Sequence, residues 1–274
     1  MLQINREICA KIAEKSNFDI NDLIAIIEIL RSEYGCPWDR EQTHSSLKNS
    51  LIEETYEVIE AINNNSSQDI CEELGDLLML ILLNAQIAKE EKNFDFSSIC
   101  DTVSKKMILR HPHVFKNTKV NNSQEVLKNW DDIKKEEKSQ KTYTDTLKAV
   151  PNSFPALLKA EKVQKRAKKA GFDWDNINGA LQKVYEEADE ISEEIKTNNT
   201  ENAQKELGDL LFATVNLSRF LKANPEDELN KATLKFISRF SKVEELANKK
   251  GIDMKAASLT ELDLLWEEVK KNEN

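Results

Sequence analysis

The chain has 274 residues, enough for one large domain or two ordinary ones, with 39% apolar and 32% charged residues. Its formal net charge of −10 excludes a surface built to hold nucleic-acid backbone, which needs clustered Lys and Arg, although an acidic protein still binds phosphates through a divalent cation. The four cysteines form no CxxC pair and read as reduced thiols, and no stretch approaches the ~18–20 apolar residues of a membrane span, so a cytoplasmic protein with no membrane and no nucleic-acid partner is expected.

Six glycines and five prolines leave punctuation sparse, and alternating Val/Ile/Thr runs are essentially missing, so the fold class is all-α. In chain order, an N-terminal extension (1–20) carries a helix over 5–14. A first module (21–138) carries helices over 20–34, 44–63, 67–92, 97–110 and 123–138. A polar stretch with Pro151 reads as a linker (139–154). A second module (155–274) carries helices over 155–170, 176–197, 199–224, 226–250 and 259–272.

The two modules are copies of one another. Glu-Leu-Gly-Asp-Leu-Leu occurs at Glu73–Leu78 and again at Glu206–Leu211, 133 residues later. Glu53-Glu54-x-x-Glu57 returns at the same offset as Glu186-Glu187-x-x-Glu190. Trp38-Asp39 pairs with Trp174-Asp175, Lys106-x-x-x-Arg110 with Lys235-x-x-x-Arg239, and Trp130 with Trp266, at offsets that differ only by short loop insertions. Such self-similarity marks a tandem repeat.

Spacing then places the carboxylates. On a helix Glu187 and Glu190 share a face, as do Glu206 and Asp209 on the next, and a short turn over 197–199 makes the two helices antiparallel neighbours. Two acidic faces meet at mid-helix, and the first module repeats the geometry with Glu54, Glu57, Glu73 and Asp76, flanked by Glu53. Like charges at this spacing each cost ~0.2–0.5 kcal/mol even when exposed. A divalent cation removes that conflict, and carboxylates without His or Cys select a hard ion, Mg²⁺ or Mn²⁺, over Zn²⁺. Gly75 and Gly208, reused mid-helix at ~1 kcal/mol each against alanine, suggest that something approaches the backbone closely there. An isolated EExxE is most often a solvated helix face; its tandem reuse beside ExxD argues against that here.

Lys235 with Arg239, and Lys106 with Arg110, give each module a cationic pair suited to triphosphate oxygens. Trp174 and Trp266 offer faces for a nucleobase, and the basic stretch that includes Lys168 offers charge for phosphates, although core packing and a solvated helix end are the ordinary uses of such residues. His44, His111 and His113 show no metal spacing and read as structural.

Tandem EExxE…ExxD, Cys36-Pro-Trp-Asp39, Arg110-His-Pro-His-Val-Phe115 and Gly171-Phe-Asp-Trp174 together resemble the MazG family of nucleoside triphosphate pyrophosphohydrolases, from about residue 20 to the end. The resemblance implies an all-α fold that hydrolyses nucleoside triphosphates, over a broad range of NTPs and dNTPs, to the monophosphate and diphosphate. It implies a homodimer whose subunits complete each site, with the second module the active one. By motif position, Glu187, Glu190, Glu206 and Asp209 bind Mg²⁺. Lys183, Glu186, Lys235, Arg239 and Trp266 line the nucleotide site, and Glu53, Glu54, Glu57, Glu73, Asp76, Lys106, Arg110 and Trp130 mark a secondary one. Glu186, with Glu187 beside it, is the candidate base for the attacking water. The rival is a non-catalytic helical scaffold, stabilised by metal and binding a protein partner.

Overall fold

The structure, a computed structural model, describes residues 2–272. Among these the regular elements are all helical. They are α1 (Leu2–Ala13), α2 (Ile20–Leu30), α3 (Pro37–Glu41), α4 (Lys48–Asn63), α5 (Ser67–Glu90), α6 (Phe96–Arg110), α7 (Pro112–Phe115), α8 (Ser123–Glu137), α9 (Tyr143–Lys148), α10 (Ala156–Lys169), α11 (Ile177–Lys196), α12 (Thr200–Phe220), α13 (Pro225–Lys250) and α14 (Leu259–Asn272). The chain divides into two compact units, the first ending at Lys134 and the second beginning at Lys135.

Each unit is organised by one helical hairpin, α4–α5 in the first and α11–α12 in the second, whose helices pack on one another more extensively than any other pair in their unit. The same turn closes both. Asn65 (φ 54°) and Asn198 (φ 57°) occupy the left-handed region, where asparagine is among the few non-glycine residues tolerated. The next residue caps the second helix: Ser66 accepts from the Asp69 N–H, and Asn199 from the Asn202 N–H. Backbone bonds from the Ser66 N–H to the Ala61 carbonyl and from the Asn199 N–H to the Glu194 carbonyl finish the first helix of each pair. An identical turn sets an identical phase, so the acidic faces meet at the same level in both copies.

In the first unit the core gathers Ile27, Leu47, Leu80, Leu82, Leu83 and Ile87, with α2 laid on α5. In the second, α10 packs on α12, and a separate cluster of Val243, Ala247, Leu265 and Val269 joins α13 to α14. The stretch read as a linker is more ordered than its polar composition suggests. Thr142 and Asp145 form a reciprocal capping box that starts α9, Thr146 and Val150 are buried, and Arg166 of α10 donates to the Thr146 carbonyl.

The backbone, side chain or ligand expected to approach Gly75 and Gly208 closely does not come from this chain. A methyl group built at Gly75 or Gly208 meets nothing of its own chain within 4 Å, so neither is required by a close intramolecular approach. Gly179 is, because its added Cβ would lie 3.0 Å from the Trp174 indole.

Candidate metal centre

Helix α11 starts at an Asn176 cap and carries Lys183, Glu186, Glu187 and Glu190 at spacings of three and four, which stacks them on neighbouring turns. Helix α12 brings up Glu206 from the other side of the hairpin. Carboxylate oxygens of Glu187, Glu190 and Glu206 lie within 4.8 Å of one another, close enough to share one ion. Glu187 is buried at 4% exposure, Glu206 is half-buried and Glu190 is exposed. Lys183 Nζ reaches into this cluster, 2.6 Å from Glu187 Oε1 and 2.8 Å from Glu186 Oε1. Hydrogen bonds to Glu186 and then Glu187 raise the lysine pKa above its ordinary value. Glu190 has no such partner. Desolvation, then the charges of Glu187 and Glu206, push its carboxyl above the usual range. An open groove of about 570 Å³ runs over the triad, lined among others by Glu186, Asp189, Glu190, Glu193 and Glu206.

The first unit reproduces the triad with Glu54 and Glu57 of α4 and Glu73 of α5, again within 4.8 Å. The residue standing where Lys183 stands is Ser50. Glu54 Oε2 is buried without any hydrogen-bond partner, and desolvation followed by the Glu57 and Asp76 charges raises its pKa. Glu73 is raised by desolvation and then by Glu57 and Glu72.

Each expected quartet is therefore seen as a triad. Asp209 and Asp76 follow one turn after Glu206 and Glu73 on the same helices but lie outside the 4.8 Å groups, although the Asp76 charge acts on Glu54 and Glu73. Glu53 is exposed one position before Glu54. Lys183, expected to meet phosphate, is engaged by two glutamates.

The remaining candidates lie apart from the triads, in separate places of each unit. Lys235 and Arg239 lie on α13, which packs on α14 and α10, and the Arg239 guanidinium sits 6.0 Å over the Trp266 ring, itself 5.2 Å from Phe236. The charges acting most strongly on Glu190 all come from α11 and α12. In the first unit Arg110 sits 5.3 Å over Trp130, with His111 edge-on to the same ring, and Arg110 is 7% exposed where Arg239 is half-buried. Lys106, one turn earlier on α6, is half-buried. Lys168 is drawn to Asp173 at 3.2 Å, which also receives the buried Arg219 at 2.9 Å. Burial opposes ionisation of Asp173, but hydrogen bonds from Arg219 and Lys168 hold its carboxyl below the ordinary value. Trp174 is half-exposed at the mouth of a cavity beside this pair. The buried residue that the sequence reading passed over is Gln164, 4% exposed, a lone polar group on the Leu157–Ala160–Gln164–Ala167 stripe of α10.

The profile of the MazG nucleotide pyrophosphohydrolase domain matches the chain twice, over residues 42–115 and 176–244, and each match contains one triad. This chain belongs to the MazG family. Among curated relatives, the nucleoside triphosphate pyrophosphohydrolase of Escherichia coli K12 is 44% identical over 257 residues, 93% of this chain and 98% of that one. The nucleoside triphosphate pyrophosphohydrolase/pyrophosphatase MazG of Thermotoga maritima is 43% identical over 91% of this chain and 94% of its own. YabN of Bacillus subtilis, an uncharacterized protein, is 46% identical over 91% of this chain but 51% of its own length, so there the tandem MazG region is part of a longer protein. The repeat found in the sequence is thus a tandem of MazG modules on an all-α fold.

Proposed function

We propose that this chain is a magnesium-dependent nucleoside triphosphate pyrophosphohydrolase of the cytoplasm, converting NTPs and dNTPs to monophosphate and diphosphate, with the working site in the second module. The observation that carries the reading is the triad of Glu187, Glu190 and Glu206 with Lys183 bound inside it. The relatives named for this activity match over nearly their whole length, which supports it.

The donor set fits a hard divalent cation. It is all carboxylate, one member is buried, and one is held above its usual pKa by its neighbours. Glu187, Glu190 and Glu206 would hold Mg²⁺ or Mn²⁺, with Asp209 one turn on as a further ligand. Such an ion neutralises triphosphate charge and makes a bound water more acidic. Glu186, paired with Lys183 at 2.8 Å, would serve as the base for that water's proton. Lys183 turns from Glu187 to a phosphate oxygen once Glu187 is a ligand. Lys235 and Arg239 offset charge on the leaving diphosphate, and Trp266 flanks the nucleotide.

The uncovered apolar faces support a homodimer. Leu207 and Leu211 of α12 are half-exposed around Gly208, which has open space above it, and Phe236, Ile237 and Phe240 of α13 are exposed as well. A two-helix hairpin covers one apolar face only, and a second copy completes a four-helix bundle. It would also bring the partner's cations to the triad.

The deciding experiment is a panel of NTPs and dNTPs with Mg²⁺, scored for diphosphate and monophosphate together. Release of both in equal amounts, lost with EDTA and in Glu187→Gln/Glu190→Gln, is expected. Metal-dependent melting without diphosphate release would transfer the protein to the scaffold reading.

A further inference from the structure

Further along α12 from the triad of the second unit lies a cavity of about 420 Å³, within the range of small-molecule sites, lined by Gln164, Phe172, Trp174, Phe212, Asn216 and Arg219 among others. Its walls are mostly apolar, and two of its aromatics stand at the surface: Phe172 is 83% exposed and Trp174 45%. The loop that carries them is built to hold them there. Gly171 (φ 83°) ends α10 in the left-handed region, and the Phe172 N–H returns to the Ala167 carbonyl. Trp174 lies against Gly179, where any side chain would displace it.

The floor carries an unanswered polar group. Gln164 is 4% exposed, and its Nε2 donates to the Phe212 carbonyl at 2.8 Å. That bond fixes the amide, because a flip would set oxygen against oxygen. Oε1 is then held as an acceptor, and it is buried with no partner. Buried acceptors are almost always satisfied, so this one is waiting for an N–H. Asn216 is fixed in the opposite sense: its Oδ1 accepts from Arg219 at 2.7 Å, which leaves its amide nitrogen as a donor.

In the first unit an arginine and a leucine take two of the positions at the corresponding place. In the register set by Gly35 and Gly171, Arg31 stands where Ala167 stands. In the register of the two hairpins, Leu83 stands where Asn216 stands. The Arg31 side chain is 5% exposed, donating to the Asp39 and Gln42 carbonyls and pairing with Glu90 at 2.7 Å, and Leu83 is 1% exposed. A cavity of about 390 Å³ remains in the first unit, lined among others by Ile27, Glu28 and Gln86 where the second has Val163, Gln164 and Arg219, so the two copies differ in what lines the space.

We infer that this cavity binds a nucleobase, stacked on Trp174 and Phe172, with an N–H of its inner edge donated to Gln164 Oε1. Every common base offers a flat face for stacking, and each base has an N–H that a fixed acceptor can read. The placement suits a triphosphate held at the triad. Phe212 and Asn216 follow Glu206 of the triad by six and ten residues on α12, roughly 9 and 15 Å along its axis, a distance that a nucleoside triphosphate spans. This inference rests on the proposed hydrolysis for its substrate class. Gln164, Phe172 and Trp174 precede the second stretch matched by the MazG profile, residues 176–244.

The test uses the full chain without metal and the four ribonucleosides as probes, with binding followed by saturation-transfer NMR. At least one nucleoside is expected to bind. Gln164→Leu should weaken it about tenfold and Phe172→Ala about fivefold, with the triphosphate KM rising in step. Ala167→Arg, which copies the residue of the first unit, should abolish it. Melting temperatures check folding, and the largely exposed Phe172 keeps the test usable if Gln164→Leu does not fold. Absence of nucleoside binding at millimolar concentration, or binding and KM unchanged in both Ala167→Arg and Phe172→Ala, overturns the pocket. Nucleoside binding without hydrolysis of any triphosphate leaves the pocket standing and removes the hydrolase reading instead.

Discussion

The two triads have the same carboxylates, the same hairpin turn and the same spacing, but they answer their own charge differently. In the second unit Lys183 sits between Glu186 and Glu187, and the buried member of the triad is paired. In the first, Ser50 takes that position, a buried oxygen of Glu54 has no partner, and two members, Glu54 and Glu73, are held above their ordinary pKa by desolvation and by neighbouring carboxylates. The cation above the aromatic ring follows the same division: Arg110 is covered, while Arg239 is half-buried. Duplication preserved the geometry that holds an ion, and the two copies parted in the groups that would meet a nucleotide.

The sharpest way to break this comparison is to remove ligands from each copy in turn. Glu187→Gln with Glu190→Gln should lower diphosphate release at least ~100-fold, as loss of a metal ligand exceeds loss of its supporting partners, whereas Glu54→Gln with Glu57→Gln should leave most activity. Equal losses in a steady-state assay would show two working sites. Next in size is Lys183→Ser, which converts the second triad to the pattern of the first. A drop of roughly 10–100-fold in kcat/KM is expected from losing one charge-assisted contact to phosphate. The reverse change, Ser50→Lys, should raise the melting temperature of the metal-free protein by giving Glu54 a partner. Arg219→Met leaves the carboxyl of Asp173 buried without its main partner and should cost about 3 kcal/mol in a denaturant titration, with the transition of the second unit moving alone.

The smallest effect concerns pH. Glu190, Glu54 and Glu73 keep their protons to higher pH in the folded chain than in the unfolded one. Their ionised forms therefore oppose folding at neutral pH. That opposition is relieved as pH falls through the raised values, with nothing further gained below the unfolded value. A bound cation removes the same opposition at neutral pH, and protons displace it. The rise in melting temperature caused by Mg²⁺ should be largest near neutrality and shrink on acidification. A rise that is flat with pH would mean the ion binds elsewhere.

Much of this was legible in the sequence because helical periodicity is strict. The Glu-x-x-Glu and Glu-x-x-Asp spacings sufficed to put the acids on one face, and the ten long helices of the two modules fall within a few residues of their expected ends. Short elements were less visible. α3, α7 and α9 are four to six residues long, below the reach of a 3.6-residue pattern, and depend on local caps such as the Thr142–Asp145 box. Contacts between side chains were least visible. Spacing alone did not say that Lys183 turns inward, that Arg239 sits over the Trp266 ring of α14, or that a methyl group at Gly75 or Gly208 would meet nothing of its own chain within 4 Å. Gln164 escaped because one uncharged residue on an apolar stripe carries little signal, although a polar break in such a stripe is itself a reason to look.

The lysine within the second triad has a consequence for the protein at rest. Its ammonium group offsets the carboxylates by itself, so that copy carries less internal repulsion when divalent cations are scarce. The first copy has no such lysine. On chelation the molecule should lose its structure unevenly, with amide exchange quickening around α4 and α5 while α11 and α12 stay closed, so that the half proposed to do the chemistry is also the half that waits without harm.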